Sequence, residues 1–161
     1  RAGRAEGKIL RIEGQILDEY LRPVPDALVE IWQAAASGRY NHSGDRSGLP
    51  LDPNFQYFGR AVTGEDGRYF FKTIIPGDYP ASGSWRRPPH IHAKAQKRGF
   101  FSLTTQMYFA GHPLNDDDYI LLDIPEDQHD QVVIAPELPG PDAPDRTPVY
   151  HFNLSLRTVP R

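Results

Sequence analysis

The chain has 161 residues, with 18 Lys and Arg against 21 Asp and Glu, a formal net charge of −3, and no cysteine. That length suits one domain with a sizeable core, and the charge balance carries neither a nucleic-acid footprint nor a polybasic membrane patch. Disulfides, thiolate metal sites and a Cys nucleophile are excluded, and no apolar run approaches the ~20 residues of a membrane span.

The 16 prolines and 14 glycines argue for many turns. No segment holds an apolar helical stripe for three turns, and short alternating runs dominate. Residues 1–7 are expected to be a flexible extension. The chain begins with Arg1 rather than Met, which leaves the compartment open: cytoplasmic is the expectation, exported the alternative. "KILRIEGQIL" (8–17) alternates and reads as a strand. A turn-rich connection (18–27) leads to a second strand, "LVEIWQA" (28–34), where the period-2 pattern points Trp32 into the core. Residues 35–55 form a long loop, of the kind that is usually functional or disordered. "FGRAVT" (58–63) and "RYFFKTII" (68–75) are expected to make a hairpin around Asp66-Gly67. A second long loop covers 76–89. "HIHAKAQKR" (90–98) and "FSLTTQMYF" (101–109) read as a strand pair around Gly99. Residues 110–130 are irregular and acidic, their acids read as a solvated face. A strand (131–135), a proline-rich excursion (136–148) and a last strand (149–156) complete the chain. Seven or eight strands predict an all-β chain, a β-sandwich with long functional loops, as one domain over 1–161.

The stretch "WRRPPHIHAK" (85–94) carries an H-x-H. On a strand this puts His90 and His92 on one face, where they either share a metal or sit on a wet surface. "SGRYNH" and "PGDYP" hold Tyr40 and Tyr79 on loops framed by Gly and Pro, and the two prolines stiffen the entry to the histidines. Most tyrosines are packing residues, so the combination says more than either one alone. His42, His112, His129 and His151 lack such a frame and read as surface or structural. Arg86 reads as surface charge, and Trp85 as pocket wall or packing.

"VEIWQAAASGRYNH", "LDPNFQYFGRAVTGEDGRYFFKTIIPGDYP", "WRRPPHIHAKAQ" and "TTQMYFAGHP" together closely resemble the intradiol ring-cleavage dioxygenases. The likeness is strongest on the branch of the iron-bearing subunit of protocatechuate 3,4-dioxygenase and its stand-alone relatives. It runs in order over roughly residues 10 to 125. It implies a non-haem iron(III) held by Tyr40, Tyr79, His90 and His92. Arg87 and Gln106 match active-site residues: Arg87 would stabilise developing negative charge and Gln106 would orient the substrate. Tyr79, by position, would accept a substrate proton. The implied reaction cleaves a catechol-type ring with O₂, between its two hydroxylated carbons, to a cis,cis-muconate-type diacid. The chemistry suits the donors. Iron(III) is hard and favours anionic oxygen, and a bonded trivalent cation favours the ionised form of a phenol whose free pKa is ~10.

The sequence also departs from the family's pattern. The loop between Tyr79 and His90 is about two residues short of the protocatechuate enzymes, Ala81 stands where they have a tryptophan, and the helical N-terminal segment of the catechol enzymes has no counterpart. Lys94 and Lys97 lie beyond the histidines, so no basic residue is framed to grip a ring carboxylate. The expectation is turnover of catechol and several substituted catechols without strong preference for protocatechuate. The partners are a catechol-type substrate and O₂, with no nucleic acid and no membrane; a homo-oligomer or a partner subunit stays open. The alternative class is a non-catalytic transthyretin-like β-sandwich binding module, which "GQILDEYLRPVPDALVEI" resembles. An extradiol-type iron(II) oxygenase needs a 2-His-1-carboxylate set, and no carboxylate is framed like the two tyrosines.

Overall fold

The computed structural model describes residues 3–143 and 145–160. Residues 1 and 2 of the expected N-terminal extension, 144 in the proline-rich excursion, and 161 lie outside them. The alternating apolar runs form two five-stranded sheets packed face to face, as a β-sandwich requires. In the first sheet β1 (Ile9–Asp18) is central. β4 (Arg68–Ile74) runs antiparallel to it, from Ile9↔Ile74 to Gln15↔Arg68. Along its other edge β11 (Val149–His151) and β12 (Leu154–Leu156) run parallel to it, with β10 (Pro136–Glu137) outside β11. The second sheet has the order β3 (Phe58–Val62), β2 (Leu28–Trp32), β7 (His90–Gln96), β8 (Leu103–Phe109), β9 (Val133–Ile134).

The core lies between the sheets. Leu10, Ile12 and Ile16 of β1 and Tyr69 and Phe71 of β4 meet Val29 and Ile31 of β2, Ile91, Ala93 and Ala95 of β7, and Met107 of β8. Because side chains alternate, burying Ile91 and Ala93 turns His90 and His92 to the outer face of the second sheet. That face is covered by chain from three places. These are the loop 35–55, a two-stranded hairpin of β5 (Tyr79–Ser82) and β6 (Trp85–Arg87), and the segment after β8. The last holds 3₁₀ turns at Pro113–Asp117 and Glu126–Gln131 and a one-turn helix, α1 (Tyr119–Leu122). It packs Leu121 and Val132 onto Tyr108, a second small apolar cluster.

The expected hairpin around Asp66-Gly67 is corrected. The turn closes locally, Gly67 N donating to Gly64 O (2.9 Å) and Gly64 N to Arg68 O (3.1 Å). Its strands then part: β3 pairs with β2 and β4 with β1. Each has an inward face to bury, and crossing between sheets puts those faces against each other. The loop expected at 76–89 contains the β5–β6 ribbon, which tolerates Pro80 because that residue is exposed and the two-stranded pair is separate and irregular just after it. The C-terminal run is two strands rather than one. Between them Phe152 N donates to Glu13 O (2.9 Å), and Asn153 Oδ1 accepts from Gln15 N (2.9 Å). Among the described residues no helix is long and apolar enough to cross a membrane.

Candidate metal centre

Two glycines bring the tyrosine loops together. Gly38 has φ +81°, and a Cβ there would meet Asp78 O at 2.3 Å; a Cβ on Gly77 would meet Ala36 O and Gly38 N at 2.5 Å. Only bare backbone fits so close. Gly77 N and Gly38 N both donate to Ala35 O at 2.9 Å, which ties the start of one loop to the start of the other. Asp45 then pins the first loop, accepting from Tyr40 N (2.7 Å) and Ser47 N (2.8 Å) and pairing with Arg39. These donors hold its carboxyl down at about 2, against the pull of burial toward the neutral form.

The result is a ring of four aromatic donors. The Tyr40 and Tyr79 centroids lie 5.8 Å apart, Tyr40 and His92 6.3 Å, Tyr79 and His90 5.6 Å, and His90 and His92 4.9 Å. His90 Nδ1 sits 2.7 Å from Pro88 O and donates to it, which leaves Nε2 as the nitrogen with a free lone pair. Tyr79 Oη at 3.3 Å and Arg87 Nη1 at 3.1 Å both face that nitrogen. Burial, then the Arg87 charge, pushes His90 down to about 3 and His92 to about 4, so both rings are neutral at physiological pH. Burial raises both phenols, with Tyr79 adding to the effect on Tyr40 and Arg87 opposing it.

This donor set fits a hard trivalent cation. Two neutral imidazoles and two phenol oxygens converge, and the Tyr40 hydroxyl is buried with no hydrogen-bond partner. Leaving such a group unsatisfied costs about 1–3 kcal/mol, and a cation bonded to it removes that cost and ionises the phenol. Among the described residues no three His, Asp or Glu side chains converge on a metal position, so the tyrosines are what complete the set.

Arg87 is 4% exposed and Asp118 0%. Arg87 Nη2 donates to Asp118 Oδ2 (2.9 Å), Gln106 Oε1 (2.6 Å) and Tyr108 Oη (3.0 Å), and Nε donates to Asp118 Oδ1 (3.2 Å). The register explains the grouping: His90 faces Tyr108 and His92 faces Gln106 across β7 and β8. Arg86 is exposed and pairs with Asp78, as its reading as surface charge requires. A cavity of about 700 Å³ opens onto the cluster, with Tyr40, Tyr79, Arg87 and His92 in its wall and the two tryptophans beside them.

Three expectations are corrected here. Trp32 is not in the core: Val29 and Ile31 take that face, and Trp32 stacks on His92 outside it (4.9 Å, 2° between planes). The acids of 110–130 are not all solvated, because Asp118 is the buried counter-ion of Arg87. Beside Arg87, a second cation lines the cavity, Arg46 on the pinned loop, which no motif had framed. Tyr108 could have been found from the sequence, since it lies two residues beyond Gln106 on the same strand face. Asp118, the last of three consecutive aspartates in an irregular segment, carried no such signal.

The family model described as Dioxygenase matches residues 1–158. The chain is 45% identical over 135 residues to the protocatechuate 3,4-dioxygenase beta chain of Burkholderia cepacia, covering 81% of this chain and 57% of that one. It is 31% identical over 162 residues to the catechol 1,2-dioxygenase of Acinetobacter baylyi, covering 85% and 50%. It thus spans about half the length of these curated relatives. The solved 3-chlorocatechol 1,2-dioxygenase of Rhodococcus opacus 1CP superposes with a TM-score of 0.76 at 25% identity, over 96% of this chain and 62% of that one. The dioxygenase domain of a dioxygenase carbohydrate-binding protein fusion from Streptomyces sp. SirexAA-E gives 0.72 at 29% identity, over 96% and 83%. The non-catalytic module is therefore not favoured.

Proposed function

Because the chain belongs to the dioxygenase family whose model it matches from residue 1 to residue 158, we propose that it is an intradiol enzyme. It uses O₂ to cleave a catechol-type ring between the two hydroxylated carbons, and both oxygen atoms enter a cis,cis-muconate-type diacid. Tyr40, Tyr79, His90 and His92 hold the iron(III). What supports this reading above all is the ring of two phenols and two neutral imidazoles, of which Tyr40, Tyr79 and His92 line the cavity and His90 lies behind them. When bound, the iron supplies a Lewis acid that lowers the pKa of the diol and favours the substrate as its dianion. Tyr79, which lines the cavity with its Oη 3.3 Å from His90 Nε2, is the proton acceptor for one substrate hydroxyl once its phenol is ionised by the bound iron. Arg87 directs its positive charge at the negative charge that builds on the substrate oxygen. Asp118, Gln106 and Tyr108 hold that guanidinium in one orientation, so it does not reorganise during the reaction. Trp32 and Trp85 wall the ring and limit water.

The test is the full chain loaded with iron(III), given catechol and O₂, with the product identified. The expected result is a coloured protein with a tyrosinate charge-transfer band and cis,cis-muconate as product. Tyr40→Phe and Tyr79→Phe should each weaken or shift the band. A colourless iron-loaded protein, or an extradiol semialdehyde product, would overturn the proposal.

A further inference from the structure

The cavity is larger than a bare catechol needs. About 700 Å³ lies in the range that takes drug-sized ligands, so a ring bound at the cluster leaves room for a substituent. The turn between β5 and β6 adds to that room, because Ala81, Ser82 and Gly83 line it with little bulk.

The charges around the cavity are uneven. Asp45 is the carboxylate in its wall, and Arg39, two backbone N–H groups and the Ser47 hydroxyl already occupy it. The Arg87 charge is balanced by buried Asp118. Arg46 also lines the cavity, is exposed, and makes no ion pair among the described residues. Its place is not that of a loose surface arginine. It sits between Asp45 and Ser47, which are bonded to each other, and Ser47 Oγ accepts from Leu49 N (3.3 Å). On the same loop His42 lines the cavity, and its Nδ1 accepts from Gly44 N (2.9 Å), so in the neutral ring Nε2 carries the donor proton. One rim of the cavity therefore offers a guanidinium fork and an imidazole N–H, with no free carboxylate beside them.

We propose that this rim binds an anionic group on the substrate, so that the substrate class is catechols bearing a carboxylate on a side arm. The ring diol sits at the tyrosine–histidine cluster, and the arm extends past Trp32 and Trp85 to Arg46. A planar guanidinium takes a carboxylate through two parallel hydrogen bonds, which fixes orientation as well as adding affinity. The proposal rests on the dioxygenase reading for the diol end and on Arg46 for the other.

The test compares dihydrocaffeate with its methyl ester, a pair that differs in charge at the arm's end. Affinity is read without turnover, by titrating iron-loaded protein under argon and following tryptophan fluorescence. The chain has two tryptophans, Trp32 and Trp85, and both line this cavity. Turnover is then read as kcat/KM after O₂ is admitted. Wild type should favour the acid by about tenfold in both measures, the size of a charge-assisted hydrogen bond, and less so at high salt. Arg46→Gln should bring the acid-to-ester ratio close to one, and Arg46→Lys should keep part of it. A wild-type ratio near one, or a ratio that Arg46→Gln leaves unchanged, overturns the proposal. If both probes bind and neither is cleaved, the dioxygenase reading fails, and the binding ratio still decides the role of Arg46.

Discussion

Replacing Asp118 by leucine should be among the most damaging single changes in this protein. Asp118 is fully buried and its partner Arg87 nearly so. Asp118→Leu leaves a guanidinium in the interior with hydrogen-bond acceptors but no counter-charge, and breaking a buried pair from one side costs about 3–5 kcal/mol. Unfolding entropy of about 2.1 cal/mol/K per residue over 161 residues comes to about 0.34 kcal/mol/K. The expected fall in Tm is therefore about 9–15 °C by calorimetry. The structure also predicts the rescue. In Asp118→Leu/Arg87→Met both charges leave together, and Tyr108 Oη still donates to Gln106 Oε1 (3.2 Å), so the remaining polar pair satisfies itself. The double variant should be more stable than Asp118→Leu, and the cycle should show a coupling of about 1–2 kcal/mol or more, within the range of about 0.5–3 kcal/mol for residues in contact. A Tm loss under about 3 °C for the single variant, or additive losses in the double, would refute the ion pair as the support of Arg87.

Two other outcomes follow from the geometry. After iron is removed with a chelator, stability should fall with acid. The folded pKa values of about 3 for His90 and about 4 for His92 lie below the unfolded value of 6.5, so below pH 6.5 the unfolded chain takes up protons that the folded one refuses. The contribution is complete above pH 6.5 and is lost as pH falls toward about 4 for His92 and about 3 for His90, with a slope of at most about 1.4 kcal/mol per pH unit for each histidine. Urea midpoints that are flat between pH 7 and pH 5 would contradict this. Gly14→Ala should destabilise the first sheet, since the new Cβ would lie 2.0 Å from Phe152 O and 2.6 Å from the Tyr69 ring. Overpacking of that kind costs about 1–3 kcal/mol, and an unchanged Tm would refute the close approach of β1 and the C-terminal strands.

Much of this protein was legible along the chain. Prolines and glycines ruled out long helices, and alternation located the main strands. Period 2 put His90 and His92 on one face, and Gly and Pro framed the two tyrosines. All of these depend on residues close in sequence, where backbone geometry alone fixes the relation. What alternation cannot say is which neighbour covers a face. It gave Trp32 a side but not the fact that Val29 and Ile31 hold the core, which leaves Trp32 to stack on His92. It marked β3 and β4 as strands but not that their connection changes sheets. Asp116, Asp117 and Asp118 are chemically alike in the sequence. Only the packing of residues 113–122 against β6 and β8 buries the third beside Arg87, and only the pinned loop brings Arg46 to the cavity. Burial and charge pairing are properties of segments far apart in the chain, and they are set when the polar face of the second sheet is covered by loops whose contacts no local pattern encodes.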